Sequence, residues 1–125
     1  MKHCFIVLSM LLLAFTLTGC NSLMKRDRMQ TVTIETVVHP HEECMEMTPG
    51  DMLSYSFTAS GPFDFNIHYH EGKDIFYPVS QKAVSSGEGS YTAERAHIYC
   101  LMWTNTRQEP LSLTYTFRVD KPERK

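Results

Sequence analysis

The histidines and cysteines of this chain come in patterned pairs, so any chemistry would start from them. His39-Pro40-His41 and His68-Tyr69-His70 each set two imidazoles two residues apart. Residues i and i+2 of a strand project from one face, so His68 and His70 could offer two nitrogens to a single copper or zinc ion, as could His39 and His41. Glu42, Glu43, Met45, Met47, His97 and Met102 are further donors, and thioether sulfur suits Cu(I). The competing reading is plainer: outward histidines on a solvated sheet face, and methionines that fill irregular gaps in a core. No tightly spaced metal motif such as paired Cys-x-x-Cys is present. Nor is there a Gly-x-Ser-x-Gly elbow, a His-Glu-x-x-His helix, or a glycine loop followed by Lys and a hydroxyl. Asp51, Asp64 and Asp74 fall in or beside turns, where Asp commonly serves local backbone hydrogen bonds. The expectation is a non-enzyme without cofactor, with copper or zinc binding as the alternative.

The elements that would position these residues are strands. Apolar residues alternate with period two through most of the chain after residue 30, and no 3.6-residue stripe appears. Segment 63–69 shows it most cleanly: Phe63, Phe65, Ile67 and Tyr69 point one way, and Asp64, Asn66 and His68 the other, with His70 continuing that face. Segments 31–38, 52–59, 75–79, 91–93, 97–104 and 111–119 read as further strands, the last placing Leu111, Leu113, Tyr115, Phe117 and Val119 on a single face. Residues 70–74 read as a turn and the glycine-rich 85–90 as a flexible loop. Seven or eight short strands at this spacing predict an all-β fold, an antiparallel two-sheet β-sandwich. Tyr99 and Trp103 would form an aromatic binding patch if exposed and core if buried.

Residues 1–19 have a different character. Met1-Lys2-His3 is a short polar start, and a nearly unbroken apolar run follows to Leu17. About 20 apolar residues are needed to span a bilayer, so this run reads as the core of a signal peptide. It ends in Leu17-Thr18-Gly19-Cys20, which resembles the lipobox of bacterial lipoproteins. The resemblance implies cleavage before Cys20, acylation of that cysteine and anchoring to membrane lipid; a plain signal peptide with an incidental cysteine is the other reading. Three acyl chains hold a protein firmly where one is marginal. Asn21 follows Cys20 in place of the Asp that resembles an inner-membrane retention signal, which points to the periplasmic face of an outer membrane. Residues 20–30 then form a short basic tether with Lys25, Arg26 and Arg28, and residues 121–125 a charged tail. Between them, 31–120 suffices for one domain with a core. The formal net charge of −2 becomes more negative when Lys2 leaves, and the basic residues form no stripe interleaved with aromatics, so nucleic acid is not an expected partner.

Four cysteines are present. With Cys4 in the leader and Cys20 acylated, Cys44 and Cys100 remain as an even pair in an oxidising compartment, and a disulfide between them is expected. It would close a loop of about 57 residues, worth about 4 kcal/mol in the chain-entropy model. Two free thiols acting as metal ligands or redox centres are the alternative.

Around these cysteines the sequence is similar to the GOLD domain of the p24/emp24 proteins. The matching residues are Cys44 before Thr48-Pro49-Gly50-Asp51, then Phe63 to Tyr69 leading through Glu71-Gly72-Lys73 to Ile75-Phe76-Tyr77-Pro78, and Tyr99-Cys100-Leu101-Met102-Trp103-Thr104-Asn105. The resemblance implies a compact β-sandwich with a Cys44–Cys100 bridge, serving protein–protein interaction and not catalysis, with Asn105 capping a loop. The chain lacks the p24 coiled coil, C-terminal membrane span and sorting tail, so vesicle functions do not carry over. The function expected is a membrane-anchored interaction module of the cell envelope that binds a protein or another envelope component.

Overall fold

The computed structural model describes residues 29–35 and 39–123. The expected leader, the expected acylation site Cys20, most of the expected tether and Val38 lie outside the described residues.

All regular elements among the described residues are strands: β1 (Gln30–Ile34), β2 (His41–Met47), β3 (Met52–Glu71), β4 (Asp74–Thr92), β5 (His97–Thr104) and β6 (Leu111–Asp120). They form one antiparallel sheet in the order β1-β6-β3-β5-β2, with β4 on the other edge of β3. The strands expected at 52–59 and 63–69 are one strand, β3. Likewise 75–79, the expected loop 85–90 and the first part of 91–93 are one strand, β4. Strand β2 was not expected; its inward residues are Glu43, Met45 and Met47, a face with little β-branched character.

β3 is long because it serves both halves of the sheet. Residues Met52 to Ala59 pair with β6, and Asp64 to Tyr69 pair with β5. The register breaks between Thr58 and Phe63, and there the strand bends. Gly61 sits in this bend because a Cβ would lie 2.8 Å from Leu111 Cδ2. β4 follows around the bend with a bulge at Ala83, whose φ is 53°. Asp64 holds that bulge: its Oδ1 accepts from Ala83 N (3.0 Å) and its Oδ2 from Lys82 Nζ (2.8 Å).

The bend brings the two halves of the curled sheet face to face. Phe57 from the β6-paired half meets Phe65 (4.8 Å) and Trp103 (5.8 Å), and Trp103 meets Tyr115 of β6 (4.9 Å). Around these rings pack Leu53, Ile67, Leu101, Leu113 and Met47, each at most 1% exposed. The sheet ends, β1 and β2, converge on the Tyr115 hydroxyl. Its O–H donates to the Glu43 carboxylate, with Gln30 Oε1 at 3.2 Å and His41 Nε2 at 2.8 Å. Burial, and then the neighbouring Glu43 carboxylate, push the Tyr115 phenol well above its ordinary pKa, so this seam keeps its proton.

Buried polar side chains close the ends. Asn105 Nδ2 donates to Ile34 O, Glu35 O and Glu109 O (3.0, 3.2 and 2.8 Å), while its Oδ1 accepts from Arg107 N, so it caps the 105–110 connection and ties it to β1. Asp51 accepts from Thr48 N (2.8 Å) and from Lys121 Nζ (2.5 Å). The first residue of the expected tail is thus fastened to the domain.

Candidate functional site

Cys44 and Cys100 stand directly opposite each other on β2 and β5 and form a disulfide, with Cα atoms 4.1 Å apart. The bridge lies on the outer face, because the residues flanking Cys100, Tyr99 and Leu101, point into the core. It staples the terminal strand β2 to the sheet, and free thiols at these positions are ruled out in this structure.

The same outer face carries Asn66, His68 and His70 of β3, Ile98 and Met102 of β5, and Glu42 and Glu46 of β2. From β4 come Ile75, which pairs with His70, and Tyr77, whose ring is 5.8 Å from that of His68. An open groove of about 580 Å³ runs along one end, lined by Glu46, Met47, Thr48, His70, Ala96, His97, Ile98 and Cys100. Ile75, Tyr77 and Ile98 are exposed by 45, 52 and 56%, among the most exposed large apolar side chains described. Phe76, 41% exposed, borders them from the other side of β4, stacked on Tyr69.

His68 departs from expectation. Alternation placed it on a solvated face, yet it is only 4% exposed and its neighbour Asn66 9%. His68 Nδ1–H donates to Asn66 Oδ1 (2.8 Å). Burial, with a smaller push from His70, holds its pKa below the ordinary value despite the opposing pull of Glu42. The ring is therefore neutral near pH 7, with the proton on Nδ1 and a lone pair on Nε2. Glu42 Oε1 lies 3.9 Å from that Nε2.

The histidines do not converge. His68 and His70 are neighbours, ring centroids 5.3 Å apart, on the outer face. His41 points inward to Tyr115 and Trp103, and His39 is exposed beyond the start of β2. Among the described residues no group of three or more His, Cys, Asp or Glu side chains is placed to hold a metal ion.

Trp103 and Tyr99 are 1% and 0% exposed, which corrects the idea that they form a binding patch. Trp103 is the hub where Phe57, Phe65 and Tyr115 meet; Tyr99 stacks among Tyr69 and Tyr91 and donates its hydroxyl proton to Arg95 O (3.0 Å). The exposed apolar positions are instead Ile75, Tyr77 and Ile98. For Ile98 the signal was legible, since it alternates out of phase with Tyr99 and Leu101.

No family model and no curated protein matches the chain. Among solved structures it is similar to the pre-peptidase C-terminal domain of a collagenase from Bacillus anthracis, with 8% identity and a TM-score of 0.55 over 74% of this chain and 89% of that one. It is also similar to a periplasmic inhibitor of g-type lysozyme from Aeromonas hydrophila, with 14% identity and a TM-score of 0.47 over 74% of this chain and 86% of that one. At 8% identity the likeness to the collagenase domain bears on the fold alone, and it agrees with an all-β domain of sandwich-like form.

Proposed function

We propose that the mature chain is a lipid-anchored, non-catalytic interaction module of the cell envelope, and that it docks a protein partner on the outer face of β2, β5, β3 and the start of β4. The observation that carries this reading is the grouping of Ile75, Tyr77 and Ile98, each about half exposed, beside an open groove on one face of the sheet. Contiguous exposed apolar patches mark interaction sites, whereas apolar side chains scattered singly do not. The opposite outer face differs in kind: Thr31, Thr114, Thr58 and Ser86 form one cross-strand row and Thr116, Ser56 and Glu88 the next, with no large apolar side chain among them. In this reading the curled sheet works as a two-layer β-sandwich of the GOLD type. The Cys20 anchor and basic tether hold it at the periplasmic face of an outer membrane, within about 35 Å of lipid.

The reading is tested by replacing Ile98 with Asp in the full-length protein and following recovery of crosslinked partner from intact cells. A loss of at least tenfold, roughly what removing an apolar anchor costs, is expected with no change in thermal stability. Unchanged recovery contradicts the reading. A second reading, copper or zinc held by His68 and His70, is favoured by their neighbouring rings, and stoichiometric retention of metal in native mass spectrometry is its test.

A further inference from the structure

Between Glu42 and His68 two hydrogen-bond acceptors face each other. The imidazole Nε2 carries a lone pair, because its Nδ1 proton is committed to Asn66 Oδ1 at 2.8 Å. A carboxylate oxygen of Glu42, an acceptor, lies 3.9 Å away. Neither can satisfy the other, and the His68 side chain is 6% exposed, so bulk water has restricted access. What fits between two acceptors is a group that donates several hydrogens and carries positive charge. A Lys ammonium has three donors and no acceptor.

The surroundings select for the same group. The Tyr77 ring lies beside His68 and is 52% exposed, offering an aromatic face to a cation. Glu46 adds a second carboxylate on β2, beside the groove. No Lys or Arg among the described residues pairs with Glu42 or Glu46; Lys82 is engaged by Asp64 and Arg95 by Glu71. Further along the same face, Ile75 opposite His70 and Ile98 opposite Glu46 are exposed and would cover the apolar neighbours of such a side chain. A divalent metal would need a third ligand of the His, Cys, Asp or Glu type, and among the described residues none is placed to complete such a group.

From this juxtaposition we infer that Glu42 and His68, with Tyr77 beside His68, form a binding site for a primary ammonium, the side chain of a lysine set between apolar residues in the docked partner. The inference rests on the docking face proposed above and names the residue that face selects.

The test uses the full chain purified in detergent at pH 7.5, with its histidine rings isotope-labelled. Two peptides, Ac-Ile-Lys-Ile-NH2 and its norleucine counterpart, which lacks only the ammonium, are titrated while the His68 imidazole resonances are followed by NMR. Zinc chloride is titrated in parallel. The expected result is that the lysine peptide shifts His68 and binds at least about tenfold more tightly than the norleucine peptide, the scale of a hydrogen bond to a charged group. Glu42→Gln, on an exposed side chain, should remove most of that difference while leaving the melting temperature unchanged, and Tyr77→Ile should reduce it. Equal binding of the two peptides overturns the inference yet leaves the apolar docking face standing. Binding of neither peptide overturns the inference. A one-to-one zinc shift at both His68 and His70, with no response to the lysine peptide, overturns it in favour of a metal site.

Discussion

Replacing Gly87 with alanine should destabilise the protein for a reason that is purely steric. Gly87 sits in β4 opposite Phe57, and a Cβ there would lie 2.6 Å from Phe57 Cε1 and 2.7 Å from Cζ. The ring cannot give way, since it is 2% exposed and held by Phe65 at 4.8 Å and by the edge of Trp103 at 5.8 Å. Its φ is not in the left-handed region, so alanine meets no backbone strain and gains the usual advantage of a less mobile unfolded chain. Overpacking costs about 1–3 kcal/mol and that gain offsets about 0.4–1 kcal/mol, leaving a net loss between about 0 and 2.6 kcal/mol, centred on about 1.3 kcal/mol. For a domain of this size the melting temperature should fall by about 5–15 °C, measured by circular dichroism. Gly89→Ala is the internal comparison: its Cβ would meet the Tyr55 hydroxyl at 2.8 Å and Cζ at 3.1 Å, longer approaches than at Gly87 and to the terminal atom of the side chain, so its loss should be smaller. A Gly87→Ala protein at least as stable as the parent would refute the idea that Phe57 fills the space glycine leaves.

Other consequences are as definite. Joint replacement of Cys44 and Cys100 by alanine should cost about 4 kcal/mol by the chain-entropy model, read from urea denaturation, and should free β2 first in hydrogen exchange. Asn105→Ala removes four hydrogen bonds to backbone groups and should cost about 3 kcal/mol or more, whereas Asn105→Asp loses the donors alone and should still destabilise strongly. Asp51 is buried, which by itself raises its pKa, but hydrogen bonds from Lys121 and Thr48 and the Lys121 charge outweigh this and hold it below the ordinary carboxylate value. Its contribution to stability is therefore present above that ordinary value and is lost as pH falls through the lower folded-state value; Lys121→Met should shrink the acid-side loss, as pH-dependent melting would show. A Lys121→Met protein with an unchanged acid profile would contradict the role given to that pair.

Where the alternation had one buried face, sequence and structure agree. Phe63, Phe65 and Ile67, and Leu111, Leu113 and Tyr115, point into the core as their spacing requires. The disulfide was legible because only two cysteines remain once the leader and Cys20 are set aside. Three features were hidden by local chemistry. Serines and glycines at 85–90 have the composition of a loop, but Gly87 and Gly89 are there because Phe57 and Tyr55 occupy the space above them, a fact visible only across the β3–β4 pair. Strand β2 carries Glu, Cys and Met where β-branched residues would announce a strand, since the β5 pairing and the disulfide stabilise it. His68 lies on the face that alternation assigns to solvent, and its burial comes from Asn66, Tyr77 and Glu42 gathered from three strands. The aromatic residues that looked available, Tyr99 and Trp103, are core because they share the inward face of β5 with Leu101.

The docking face itself is tested most directly by placing a photo-crosslinking amino acid at single positions of the full-length protein in living cells. Ile98 and Tyr77 are compared with Thr58 and Thr116, exposed or half-exposed on the opposite outer face. The account predicts a discrete crosslinked species from Ile98 and Tyr77, none from Thr58 or Thr116, and its disappearance when Ile75 is changed to Asp. Crosslinks of equal yield from both faces, or only from Thr58 and Thr116, would contradict it.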